Sequence, residues 1–136
     1  MNIRRRITLL IPIISLFCTI SFVYPVYAQD NFTGTYTNLY FNEEGGDLLG
    51  EELKIVVTGK GYQGILQIAE GGGGELAIVD IVFDKNTIKF TIPESSSDAG
   101  TFDGTITKKS IKGKLRFKSG GEKTVTLKKG QSYWDR

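Results

Sequence analysis

The side chains that could carry out catalysis in this chain are mainly carboxylates and serines, because the sequence contains no histidine and one cysteine. Histidine is the side chain that most often serves as a general base at neutral pH. Asp80 is the best candidate acid, but a strand that buries Val79 and Ile81 turns Asp80 towards solvent. Serines at 95–97 precede Asp98 in a stretch typical of a solvated turn. We therefore expect no enzymatic activity, no cofactor and no metal.

A row of cations is the most specific candidate for a binding surface. Its members alternate along one predicted strand: Lys112, Lys114, Arg116 and Lys118. Alternate residues of a strand share a face, so the row lies on one side and the apolar residues between its members on the other. Such a face could bind an anionic envelope polymer or an acidic protein partner. Alternatively, the lysines only keep an outer strand soluble and unpaired.

The charges are unevenly distributed along the chain. Residues 29–103 contain thirteen acids and four lysines, whereas residues 104–136 contain ten bases and two acids. We do not expect nucleic acid as a partner, because no aromatic side chains share the face of the row of cations and the overall charge of residues 29–136 is not basic. The tail contains an aromatic pair, Tyr133 and Trp134, which could anchor a protein partner. The alternative is that this tail folds back and plugs one end of the domain.

The N-terminal region has the composition of a secretory signal peptide. Three arginines at 4–6 precede an apolar run at 7–23, and the segment ends in Val26-Tyr27-Ala28, a small-residue cleavage pattern. We expect residues 1–28 to be removed and residues 29–136 to form a single domain that is secreted or periplasmic. After cleavage the protein would not span a membrane. An uncleaved anchor is the alternative, because about 20 apolar residues can cross a bilayer.

Apolar and polar residues alternate with a period of two after residue 30, which indicates β-strands joined by short turns. Eight strands are predicted, over residues 32–41, 53–58, 62–69, 76–83, 87–92, 101–107, 111–117 and 123–127. Short connections make neighbouring strands antiparallel. An all-β, up-and-down meander of eight strands leaves two exposed edges unless it closes. We therefore predict a small barrel, with a two-sheet sandwich as the alternative.

A pattern of large residue, any residue, glycine, any residue and large residue recurs four times, centred on Gly34, Gly64, Gly104 and Gly113. Each glycine shares a face with bulky neighbours. The favoured interpretation is that the missing side chain lets the strand bend, while a neighbouring aromatic ring covers the gap. The alternative is that the glycines hollow out an interior for a ligand.

The segment Phe32-Thr33-Gly34-Thr35-Tyr36-Thr37-Asn38 resembles the opening strand of calycin barrels, the group that includes lipocalins and avidins. It is most similar to the avidin version, in which the asparagine contributes to the ligand site. The resemblance implies a calycin-like barrel without catalytic activity. It also implies that Tyr36 and Asn38 line a ligand pocket.

Two functions follow as hypotheses. The first is a barrel whose interior holds a small apolar or amphipathic molecule. Its lining would comprise Tyr36, Asn38, Tyr62, Leu66, Phe90, Phe102, Ile106, Leu115 and Phe117. The second is a surface-binding module or inhibitor that uses the row of cations from Lys112 to Lys118. A roomy interior favours the first hypothesis, and a packed interior favours the second.

Overall fold

The computed structural model describes residues 31–136, so the predicted signal peptide lies outside the described residues. A 3-10 helix over Tyr133–Asp135 follows the last strand. Among the described residues, no helix is long and apolar enough to cross a membrane. The strands are β1 (Gly34–Thr37), β2 (Tyr40–Asn42), β3 (Asp47–Thr58), β4 (Gly61–Gly71), β5 (Leu76–Asp84), β6 (Thr87–Ile92), β7 (Gly100–Ile106), β8 (Ser110–Phe117) and β9 (Glu122–Lys129).

The sheet closes through its first strand. All neighbours are antiparallel, and β1 pairs with β9 on one side and with β3 on the other. Strands β1 and β2 are two halves of one interrupted strand, because both pair with β3, at residues 52–55 and 47–49 respectively. The prediction of eight antiparallel strands in a meander that closes into a barrel is therefore confirmed, and the sandwich alternative is wrong.

The core fills the inside of the barrel because inward-facing residues alternate with outward-facing ones. In β8, Ile111 and Leu115 are buried while Lys112, Lys114 and Arg116 are exposed. Eighteen buried apolar residues, from Phe32 to Leu127, form one continuous cluster. Burial of each large apolar side chain stabilises the fold by roughly 1.5–3 kcal/mol.

Strand β3 is longer than the sequence pattern indicated. It begins at Asp47, whereas the prediction placed a strand start at Leu53 after an acidic stretch over 42–52. The turn itself covers only residues 43–46. The charged residues at 51 and 52 interrupt the apolar pattern, so the sequence did not indicate a strand there. Both side chains are nevertheless buried. Glu51 forms an ion pair with Lys123, and Glu52 accepts hydrogen bonds from the C-terminal tail.

Three of the four recurring glycines face inward, and the space beside them is occupied. A Cβ at Gly64 would meet Leu53 Cδ1 at 2.6 Å. Gly104 and Gly113 lie opposite each other across β7 and β8, and the ring of Phe102 covers both. A neighbouring aromatic thus closes the gap at this pair, as the curvature interpretation predicted, and the glycines do not hollow out the interior.

We predict that Gly113→Ala destabilises the barrel by about 1–3 kcal/mol, since overpacking a filled core forces backbone and ring shifts. The added Cβ would lie 2.5 Å from both Asp103 O and Phe102 Cζ. Urea unfolding monitored by circular dichroism measures the change. Gly59→Ala is the matched control, because a Cβ there meets nothing within 4 Å. Equal stability of the two variants would contradict the close contact at Gly113.

Candidate functional site

The structure brings most of the predicted ligand-lining residues together inside the barrel. Six are buried in the core cluster, and two are partly buried and packed against it. The buried ones are Tyr36, Leu66, Phe90, Phe102, Ile106 and Leu115, and the partly buried ones are Tyr62 and Phe117. The rings of Phe90 and Phe102 stack at a centroid distance of 4.9 Å. These residues therefore pack against one another.

The cavity found inside the barrel has almost no free volume. The cavity among Leu66, Phe90, Phe102 and their neighbours measures about 10 Å³. A water molecule needs about 10–15 Å³ of such space, so this cavity cannot hold an organic ligand without rearrangement of the core. The packed interior favours the second of the two functional hypotheses.

Asn38 lies outside the core, at the break between β1 and β2. Its Oδ1 accepts a hydrogen bond from the backbone N–H of Glu51 at 2.6 Å, and its Nδ2 donates to Glu51 Oε2 at 3.0 Å and to Thr126 O at 3.2 Å. The opposing backbone at Gly50, with φ at +107°, leaves no space for a Cβ beside Asn38. The asparagine thus ties the interrupted strand to β3 and β9.

The two ends of the barrel carry opposite charges. The turns at 43–46, 72–75, 93–99 and 118–121 lie at one end and contain five acids and one lysine. The turns at 59–60, 85–86 and 107–109 lie at the other end and contain four lysines and no acid. The uneven distribution of charge along the sequence therefore becomes a difference in charge between the two ends of the barrel.

Much of the predicted row of cations is neutralised by neighbouring acids. Glu122 lies 2.5 Å from Lys114 Nζ and 3.6 Å from Arg116 Nε, and Glu94 lies 2.5 Å from Lys118 Nζ. A hydrogen bond from Lys114, together with the charges of Lys114 and Arg116, lowers the pKa of Glu122. Lys112 makes no ion pair within the described residues. The row thus joins one uncompensated cation to three that have acidic partners.

A larger cluster of lysines lies at the lysine-rich end, in a surface groove of about 650 Å³. We name it the lysine groove, and it is lined by Lys108, Lys109, Ser110, Lys112, Thr126, Lys128 and Lys129. Lys112 pairs with Thr126 and Ser110 with Lys128 across β8 and β9, which places the two lysines diagonally on the outer face. Lys129 Nζ lies 5.4 Å from the ring centre of Tyr36. Pairing of β8 with β9 brings Lys112 and Lys128 together, and of the lysines in the groove only Lys112 belongs to the row predicted from the sequence.

A pocket opens at the acidic end, beside a buried ion pair. We name it the mouth pocket, and it is lined by Asn38, Tyr40, Leu49, Gly50, Glu51, Ala69, Glu70, Lys123 and Thr124. The side chain of Glu51 is 2% exposed and its Oε1 lies 2.5 Å from Lys123 Nζ. Lys123 also approaches Glu70 Oε1 at 3.8 Å. No local sequence pattern indicated this site, because its residues come from four separate strands.

The C-terminal tail lies along the outside of the barrel instead of plugging an end. Glu52 accepts hydrogen bonds from Ser132 Oγ at 2.6 Å and from the backbone N–H of Tyr133 at 2.9 Å. Tyr133 packs against a second, smaller cluster of buried residues, Leu39, Leu48 and Ala69. Trp134 donates from Nε1 to Gln67 Oε1 at 2.7 Å while remaining 57% exposed. Of the aromatic pair, only Trp134 offers a largely exposed surface.

The acids considered for catalysis occupy ordinary surface positions. Asp80 is exposed and accepts a hydrogen bond from Gln63 Nε2 at 2.7 Å. Asp98 follows the serines in the turn over 93–99, where the backbone N–H of Asp98 donates to Ser96 Oγ. Burial, and then the charges of Glu70 and Glu75, raise the pKa of Asp98. Among residues 31–136, no group of three or more acidic, histidine or cysteine side chains is placed to hold a metal ion.

Together, the fold and these surfaces define a closed, eight-stranded antiparallel β-barrel with a packed interior, an architecture compatible with calycin-like barrels. Comparison of the chain with protein-family models, with curated proteins and with solved structures finds no match.

We predict that Lys123→Met destabilises the protein by about 1–3 kcal/mol, because it leaves the buried Glu51 carboxylate without its cation. This range is below that of a fully buried pair because Lys123 is 39% exposed. Urea unfolding provides the measurement. The control is Lys114→Met, which removes an exposed pair and should cost less than about 1 kcal/mol. Addition of Glu51→Gln to Lys123→Met should restore part of the loss, and failure to do so would argue against an electrostatic cause.

We predict that Asp98→Asn stabilises the fold at about pH 7. A raised pKa means that the folded state binds the Asp98 proton more readily than the unfolded state does, so above both pKa values the charged form opposes folding. The advantage should shrink as the pH falls and largely disappear near about pH 3, where Asp98 is mostly neutral in both states. Urea titrations at the two pH values test this expectation. A stabilisation that is independent of pH would rule out this explanation.

Proposed function

We propose that this protein is an exported, non-enzymatic binding protein with a calycin-like barrel, and that its lysine groove holds an anionic partner. The observation that carries the proposal is the grouping of Lys109, Lys112, Lys128 and Lys129 in one groove, none of them ion-paired to a carboxylate of residues 31–136. The charged and apolar pattern of residues 1–28 supports export.

The electrostatic cost of grouping these lysines supports a partner of opposite charge. Like charges in proximity repel one another and oppose folding, whereas an anion in the groove would offset that repulsion. The three other cations of the outer row already have acidic neighbours within the protein. An added anion would therefore gain most in the groove.

An extended polyanion fits the chemistry of the groove best. Lysine ammonium groups are compact charges on flexible stems, so they suit repeated anionic groups without requiring a fixed planar geometry. The groove has no arginine to grip one carboxylate or phosphate through two parallel bonds. We therefore favour an envelope polymer with repeating phosphate or carboxylate groups over a single small anion. An acidic protein surface is the alternative partner.

A ligand inside the barrel has less support. Such a ligand would have to displace Phe90, Phe102 or their neighbours from a core in which about 10 Å³ is free. The buried area lost by that displacement would weaken the fold. The barrel therefore serves, in this proposal, as a rigid scaffold for surface recognition.

We predict that the Lys112→Glu, Lys128→Glu double variant weakens binding to polyphosphate and polygalacturonate by at least about tenfold at low salt. Both substitutions reverse exposed charges that make no ion pair with residues 31–136, so the fold should be retained. Isothermal titration calorimetry at increasing sodium chloride concentration measures the affinities. Wild-type affinity should fall steeply with salt, because a Debye length of about 10 Å at 0.1 M shrinks to about 3 Å at 1 M.

The matched control is Lys54→Glu, Lys60→Glu, which makes the same change in net charge at exposed lysines outside the groove. This control should bind within about twofold of the wild type if the groove is the site. Equal loss in both double variants would mean that binding depends on overall charge alone. Absence of wild-type binding to either polymer at low salt would count against a polyanionic partner.

A further inference from the structure

The seam that closes the barrel is incomplete at the acidic end. β1 pairs with β9 at two positions, Tyr36 with Lys129 and Thr37 with Lys128. Beyond these positions β2 stays paired with β3, and within residues 31–136 no pairing joins β2 to β9. The first part of β9, over residues 122–126, is therefore paired on its β8 side alone. We name the gap between β2 and this part of β9 the seam opening.

The register determines which backbone groups of β9 face the seam opening. Alternate residues of a paired strand direct their N–H and C=O groups to opposite neighbours. The backbone N–H of Lys129 donates to Lys109 O, on the β8 side. The backbone N–H of Gly130, the next residue, donates to Thr35 O in β1. The even-numbered residues of β9, among them Thr124, therefore direct their backbone groups into the seam opening.

Two residues of β9 lack backbone partners there. If the register between β1 and β9 continued, Thr126 would lie opposite Leu39. Thr124 would then lie opposite Phe41. Asn38 Nδ2 donates to Thr126 O and so replaces one missing bond. The Thr126 N–H and both backbone groups of Thr124 have no hydrogen-bond partner among residues 31–136, so this part of β9 is an open strand edge to which an extended peptide can pair.

The other side of the seam opening carries exposed aromatic side chains. Tyr40 and Phe41 follow each other in β2, so their side chains point to opposite faces of the strand. They are 54% and 52% exposed respectively. The mouth pocket, with a volume of about 560 Å³, includes both Tyr40 and Thr124 in its lining. A strand added along β9 would therefore have an aromatic ring beside each of its faces and room for side chains on the inner one.

The charge at this end of the barrel favours a basic peptide over a second copy of the chain. The turns at this end contain five acids and one lysine, and the exposed Glu70 lines the mouth pocket. Pairing of two copies through the same edge would bring two acidic ends together, and their like charges would repel each other. A basic peptide would be attracted instead.

We propose that the open edge of β9 binds an extended peptide in which basic and apolar residues alternate. The peptide adds a strand antiparallel to β9 and bonds through its backbone to Thr124 and Thr126. Its basic side chains point towards Glu70 in the mouth pocket, and its apolar side chains lie beside Phe41 on the outer face. This site lies at the opposite end of the barrel from the lysine groove and takes a partner of the opposite charge.

The test titrates a capped hexapeptide of alternating lysine and valine into ¹⁵N-labelled protein, with amide shifts followed by NMR. We expect saturable shifts at Phe41, Thr124 and Thr126, together with slower hydrogen exchange of the Thr124 amide. A hexapeptide with glutamate in place of lysine should bind at least about fivefold more weakly. N-methylation of one alternate set of peptide residues should weaken binding at least about tenfold and methylation of the other set much less, because only alternate N–H groups face β9.

A pair of variants at one position tests the edge from the side of the protein. Thr124→Pro removes the N–H that faces the seam opening, and proline is tolerated in a strand where its nitrogen does not face the ladder. This variant should bind the lysine–valine peptide at least about tenfold more weakly. The control is Thr124→Val, which retains the N–H and should bind within about twofold of the wild type. If Thr124→Pro does not fold, the N-methylated peptides still test the proposal on the unaltered protein.

Four results would overturn the proposal. The first is the absence of saturable shifts with the lysine–valine peptide up to millimolar concentration. The second is a set of shifts located away from the seam opening. The third is an equal effect of the two N-methylated sets, which would exclude pairing along one strand edge. The fourth is self-association that Thr124→Pro abolishes, measured by sedimentation, which would assign the edge to a second copy. None of these results bears on polyanion binding at the lysine groove, whose probes carry the opposite charge.

Discussion

Closure of the sheet through a broken first strand is the constraint on which the rest of the structure depends. β1 completes the ring between β9 and β3, and β2 continues along β3 after the break. The break leaves backbone groups without regular partners, and the Asn38 side chain supplies bonds to β3 and to β9. The Asn38 amide therefore adds to the β1 ladder in joining the strands that would otherwise form two open edges. Because an open edge invites pairing with other chains, this junction also protects the barrel from aggregation.

Side chains must fill the interior of a barrel this small, and their packing determines where recognition can occur. Gly104 and Gly113 allow β7 and β8 to approach closely, and the ring of Phe102 lies over both. The residues that resemble a ligand lining are thus the residues that hold the barrel together. Polar and charged groups are left to the outer face and to the two ends. Recognition without disruption of the core is therefore confined to those surfaces, and the proposed binding site, the lysine groove, lies on one of them.

The alternation of apolar residues was sufficient to predict the strands, because each strand buries one face and exposes the other. It failed at the start of β3, where Glu51 and Glu52 interrupt the apolar pattern. Both carboxylates are compatible with a strand because distant residues compensate them: Lys123 from β9 for Glu51, and the tail for Glu52. Such pairings depend on the register of strands far apart in sequence. The buried ion pair, and with it the mouth pocket, could not be inferred from local patterns.

The same limit explains why the row from Lys112 to Lys118 was only part of the basic surface. The spacing within one strand correctly placed those cations on a common face. Whether each cation is free to bind a partner depends on neighbours that come from other parts of the chain. Glu122 on β9 lies beside the middle of the row, whereas Lys128 on the same strand lies near its beginning. The outward face of β9 changes from an acid, Glu122, at its start to a lysine, Lys128, near its end, so it neutralises one part of β8 and adds to the positive charge of another. The binding character of a charged strand is a property of the strand pair, so it can be assessed only once the register is known.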